Sequence, residues 1–169
     1  MGSPLLDQLK IQAQVVVPLL RAFREELGVE RANRIAWKAL EKWRVDIVRE
    51  LTKELPVQAS NVERFQAYSE ASSPVVGDAV DLNWLEGGES FETGKFPDRA
   101  EFDVTGCRFA KFFSELGEPE LGFALVCSFD NTAVDEIGRG DVEFKRTQTI
   151  MQGADHCDFR YVLRKKGLA

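Results

Sequence analysis

The side chains best suited to chemistry lie in the second half of this 169-residue chain. Asp103, Thr105 and Cys107 fall at a predicted strand-to-helix junction, and Arg108 follows at once. A thiol at a helix N-terminus meets the positive end of the backbone dipole, which favours thiolate, the form that attacks an electrophilic carbon. Cys127 ends a strongly apolar segment and is read as core, and Asp130 just after it is read as a helix cap. Asp155, His156, Cys157 and Asp158 form an unbroken run of reactive side chains, with Cys157 on the strand face of Phe159 and Tyr161. Arg146 falls on the same strand face as Phe144 and Ile150, so it is expected to be buried and to have a carboxylate or ligand partner. A phosphate-binding loop, a dinucleotide fingerprint, HExxH and CxxC are all absent, and one histidine cannot build a histidine-rich metal site.

These residues need a scaffold. At 169 residues the expectation is one domain, with a helical pair over 1–56, a connecting region and candidate lid over 57–100, and a core over 101–169 that carries the motifs. Leu6, Leu9, Ala13, Val16, Val17, Leu20 and Phe23 recur at helical steps, which predicts a helix over 5–27 that Pro18 kinks or divides and Gly28 stops. A second helix over 30–55 is predicted to bury Ala32, Ile35, Ala36, Ala39, Trp43, Ile47, Val48 and Leu51, with Pro56 ending it. A short helix over 61–71 stops at Ser72-Ser73-Pro74, and a strand over 80–85 leads to a turn at Glu86-Gly87-Gly88-Glu89. A short strand at Phe102 and Val104 precedes helices over 107–116 and 119–128, and a third begins at Asp130 and ends near Gly138. Alternation predicts strands over 142–151 and 156–164. The order predicts an α+β fold, an N-terminal helix pair packed with further helices against a mostly antiparallel β-sheet.

Composition narrows the function classes. The net charge of −6 opposes non-specific nucleic-acid binding, which requires excess Lys and Arg. No run of 18 uncharged apolar residues offers a membrane span. Three cysteines, an odd number without a secretory signal, fit reduced thiols and a cytoplasmic location. The expected partner is a small molecule, with no nucleic acid and no membrane, and a homo-oligomer is open.

Five stretches occur in a fixed order: Asp103-Val104-Thr105-Gly106-Cys107-Arg108-Phe109; Glu115 to Gly122; Cys127 with Asp130; Arg146 to Ile150; and Gly153 to Phe159. Together they resemble the L-2-amino-thiazoline-4-carboxylic acid hydrolase family over residues 100–162, and more loosely over the N-terminal helices. The resemblance implies a ring-opening hydrolase acting on C–N bonds of cyclic amidines, which converts a cyclic isothiourea carboxylate to N-carbamoyl-L-cysteine. It implies thiols at Cys107 or Cys157, acids and bases among Asp130, Asp155 and Asp158, and Arg108 or Arg146 for the substrate carboxylate. Thr105 and His156 complete the expected substrate-binding set, and neither metal nor cofactor is expected. Gly153, Cys157 and Phe159 are also similar to the end of the 4-vinyl-reductase-like sensory domains. Arg146 and Thr149 stand where zinc-bearing members have ligands, so that zinc site does not carry over. The rival expectation from this likeness is a sensory module that binds a small molecule without chemistry.

Overall fold

The computed structural model describes residues 3–53, 60–85 and 99–163. Helix α1 spans Pro4–Leu27; Ser3 caps it by accepting the Leu6 amide, and Pro4 occupies the first turn, where its missing N–H costs nothing. Pro18 does not divide the helix. Its ring faces outward, where solvent can serve the carbonyl it leaves unpaired. Gly28, at φ 78°, turns the chain into α2, Val29–Thr52. The expected C-terminal stop at Pro56 and the turn at residues 86–89 lie outside the described residues.

Both helices turn a different face to the core from the one predicted. Leu6, Leu9, Ala13, Val17 and Leu20 of α1 are buried, whereas Val16 and Phe23 are exposed. On α2 the buried residues are Ala32, Arg44 and Val48, while Ile35, Ala39, Trp43 and Leu51 are exposed. The cause is Arg44. Its guanidinium donates to the Ala124 carbonyl at 2.7 Å and lies 3.4 Å from Thr132 Oγ1, so a polar anchor, not an apolar residue, sets the rotation of α2.

Helix α3, Asn61–Val76, runs through the predicted break at Ser72-Ser73-Pro74. A reciprocal capping box between Ser60 and Glu63 secures its start. A 3₁₀ turn, Gly77–Ala79, leads into β1, Val80–Trp84; β2 is Arg99–Cys107. Cys107 caps α4, Arg108–Glu115, its sulfur accepting the Ala110 amide at 3.4 Å. One uninterrupted helical run then covers 119–138: α5 (Pro119–Gly122), a π turn (Phe123–Cys127), α6 (Ser128–Ala133) and a second π turn (Val134–Gly138). The expected boundary at Asp130 is therefore absent, and Asp130 is not a cap. Glu118, almost fully buried, fastens this run to α1 by accepting Arg21 Nε at 2.9 Å and Arg24 Nη1 at 2.6 Å.

The sheet has the order β1-β2-β4-β3, with all neighbours antiparallel, β3 being Val142–Lys145 and β4 Cys157–Leu163. The fold is the expected α+β arrangement of helices against an antiparallel sheet. Strand β3 is shorter than its alternation suggests. Asp158 accepts the backbone amides of Thr147 and Gln148, each at 2.9 Å, and so replaces the ladder there. The α1–α2 pair packs on α3, α4 and the 119–138 run, which lie between it and the strands. The core is two clusters. One joins α1 to Phe109, Phe113, Leu121, Cys127 and Met151; the other joins Val48 and Phe65 to Ala100, Ala133, Ile137, Val142 and Tyr161.

Candidate active site

The inward face of the sheet is aromatic. Phe102 and Phe159 are register partners stacked at 4.9 Å, Phe144 and Tyr161 are partners stacked at 4.5 Å, and Trp84 adjoins Phe102 at 4.8 Å. Arg146 continues that face just past the end of β3. Its guanidinium carbon stands 5.0 Å from the Phe159 ring centre, 5.4 Å from Phe144 and 5.9 Å from Phe123. Three rings shield the charge from water while their faces attract it. The side chain is 6% exposed; Nη1 donates to Asp130 Oδ2 at 2.6 Å and Nη2 to the Cys127 carbonyl at 2.9 Å. The expectation of a buried, carboxylate-paired Arg146 is met, and the carboxylate is Asp130.

The π turn at 123–127 places both acceptors. Its wide turn bonds Ser128 N–H to the Phe123 carbonyl, and Cys127 then directs its own carbonyl at Arg146. Burial raises the Asp130 carboxyl above the ordinary carboxylate range, and the Arg146 charge offsets only part of that. Asp130 also raises the phenols of Tyr68 and Tyr161, after burial, which places both phenols in its field. A cleft of about 270 Å³ opens here, lined by Phe123, Asn131, Phe144 and the stretch from Lys145 to Thr149, with Gln152.

Cys107, Cys127 and Cys157 gather beside this pair, each electrostatically coupled to another thiol. None is poised as a thiolate. Burial raises Cys107; the amide hydrogen bonds of Ala110 and Phe109 oppose it, and Asp81 adds to the rise. The helix N-terminus acts in the expected direction, but desolvation outweighs it, which corrects the expectation of an activated thiol. Burial likewise raises Cys157, whose sulfur accepts the Ile150 amide at 3.2 Å, and pushes Cys127 up to about 12. We expect the native chain at pH 7.5 to react with iodoacetamide at least about 100-fold more slowly than the unfolded chain at all three thiols. Peptide mass mapping reads this directly, and a fast native site at Cys107 would reinstate the thiolate.

The other expected residues lie apart from the Arg146–Asp130 pair. Asp155 is 89% exposed and accepts from, or donates to, His156 Nδ1 at 2.6 Å according to protonation. His156 touches the cleft only through the Gln148 amide, which stands against both ring nitrogens. Burial opposes ionisation of Asp158, but its hydrogen bonds from Thr147 and Gln148 hold it below the usual range, as suits a brace. Arg108 is exposed on α4, and Thr105 is exposed with its hydroxyl 3.5 Å from the Asp81 carbonyl. Among the described residues no three His, Cys, Asp or Glu side chains gather as metal ligands would, and no helix is long and apolar enough to cross a membrane. Tyr68 and the Phe123–Phe144–Phe159 cage were not anticipated as site residues. The cage had a signal in the aromatic alternation beside Arg146, whereas Tyr68 on α3 had none.

The profile of the L-2-amino-thiazoline-4-carboxylic acid hydrolase family matches residues 8–161. The chain belongs to this family. The match spans every element from α1 to β4, so this hydrolase-family fold includes the N-terminal helices as well as the motif-bearing half. No curated protein matches the chain. Among solved structures, the phenol-responsive sensory domain of the transcription activator PoxR, in complex with phenol, is similar at 13% identity and a TM-score of 0.41, covering 86% of this family member and 71% of that domain.

Proposed function

We propose that the chain is a ring-opening hydrolase of small cyclic amidines or thiazolines, in which Asp130 activates water and Arg146 holds the substrate's carboxylate. The observation that carries this reading is the 2.6 Å Arg146–Asp130 pair at a cleft suited to a small heterocycle. A guanidinium has five N–H donors. Among the described residues two protein acceptors meet this one, which leaves donors for an anionic ligand. The raised Asp130 carboxyl is a stronger base than an ordinary aspartate, whereas the three thiols are protonated at neutral pH.

For the family's substrate the chemistry balances as follows. Water oxygen bonds to the amidine carbon and gives a proton to Asp130. The C=N electron pair moves to the ring nitrogen, which takes a proton from solvent. The second proton of the added water then leaves as the carbonyl forms, the ring C–S bond breaks, and the departing sulfur takes the proton held by Asp130. The product is N-carbamoyl-L-cysteine. The bond broken in this substrate is thus carbon–sulfur, while addition occurs across carbon–nitrogen.

Incubation with a panel of cyclic amidines, 2-amino-thiazoline-4-carboxylate included, should give products heavier by one water. Asp130→Asn should lower the rate about 10²- to 10⁴-fold, while Cys107→Ser and Cys157→Ser stay near the parent rate. The base works only when ionised, so activity should fall as pH drops through the raised Asp130 range, above the pH expected for an ordinary carboxylate. A second reading is favoured by the stacked aromatic wall and uncharged thiols, which would hold a ligand without attacking it. Saturable binding with no conversion across the panel would select that sensory role.

A further inference from the structure

Helix α1 carries two apolar stripes, and the core uses only one of them. Opposite its buried residues, Ile11, Val15, Leu19, Phe23 and Leu27 follow one another at four-residue steps, and each is between 40% and 68% exposed. Residues 11–20 contain no charge at all, so the outward face of the helix has no solvating group where a surface helix ordinarily concentrates them. Among the described residues nothing covers this row.

We infer that this face is the interface of a two-fold dimer in which α1 packs antiparallel on α1 of a second copy. Size matching argues for a second copy. With Leu19 on the two-fold axis, Val15 faces the partner's Phe23 and Ile11 faces the partner's Leu27, so the small β-branched residue at one end meets the large ring at the other. A single patch complementary to itself under a two-fold is what a closed dimer requires. The row is an i±4 ridge, and such ridges interlock at a crossing angle of about 50°. The exposed apolar area of the row, with adjacent Val16, is roughly 600 Å², near the 800 Å² or so that a standard interface buries per partner. Flanking Gln8, Gln12 and Ala22 bring the patch to that size without introducing a charge.

Sedimentation of the full chain at micromolar concentration should show a two-chain species. Leu19→Glu and Phe23→Glu should each weaken dimerisation about 100-fold or more. Both positions are exposed, so far-UV circular dichroism should not change. In a second measurement, oxidised glutathione should join Leu19→Cys chains to one another efficiently and Ile11→Cys chains hardly at all, since only residue 19 meets its own copy. The native thiols, buried or half-buried, supply a low background. A one-chain parent protein would overturn the inference. So would a dimer that survives Phe23→Glu, or one that Ile11→Cys crosslinks as readily as Leu19→Cys, which would mean a parallel pairing or another surface.

Discussion

Replacing Arg146 by methionine is expected to abolish ring opening, with turnover falling at least about 10³-fold, and also to lower stability. Methionine fills part of the space among Phe123, Phe144 and Phe159, so packing changes little. What is lost is the charge facing Asp130 and the donor on the Cys127 carbonyl. Removing one partner of a buried pair commonly costs about 3–5 kcal/mol. Asp130 is 31% exposed, and solvent reaches it, so a cost of about 2–3 kcal/mol is expected here. The Arg146→Met/Asp130→Asn double variant should recover most of that stability and none of the activity. Arg146 also lowers Asp130, so any residual activity of Arg146→Met should have its acid limb moved to still higher pH. Thermal midpoints of the three variants beside their rates make the check. Restored turnover in the double variant would show that the pair is only a structural tie.

The largest effect on stability is expected at Gly122. It lies inside the helical run, where alanine would normally be favoured by about 1 kcal/mol. Here an added Cβ would stand 2.6 Å from Phe113 Cγ, 2.7 Å from Phe113 Cβ and 2.7 Å from Met151 Sδ. The methionine sulfur can swing away, but Phe113 has no exposed surface and its Cβ moves only with α4. Gly122→Ala should therefore cost about 3 kcal/mol net and lower the midpoint by roughly 6–12 °C for a chain of this size. Thermal unfolding followed by circular dichroism decides it, and an unchanged or raised midpoint would mean that α4 and α5 separate freely.

The sequence made the helices easiest to read where a local cap or stop writes the boundary, as at Gly28 and Gly117. It misled where a side chain far along the chain decides. The face of α2 is set by Arg44 reaching Ala124 and Thr132, and α3 persists through Pro74 although Ser-Ser-Pro looks locally like a break. Arg146 was readable as a buried cation because a charge interrupts an apolar alternation. Its partner was not, because Asp130 followed an apolar helix and had the local look of a cap; only the π turn brings it round. The thiols show a similar limit. The helix end beside Cys107 is visible in one dimension, but the burial that outweighs it comes from contacts distant in the chain.

The two π turns have one more consequence, for how the segment can vary in length. An α-helix advances 100° per residue, and a π turn takes up one residue more than an α turn does. Deleting a single residue within 123–127 would let that turn relax to α geometry and swing everything after it by about 100°. Asp130 would leave Arg146, and Ala133 and Ile137 would leave the core together. A surface loop absorbs an inserted or lost residue; this helix, although regular along most of its length, can absorb neither. The spacing between Pro119 and Gly138 is in effect a counted length, as strictly required for the site as the identity of the residues within it.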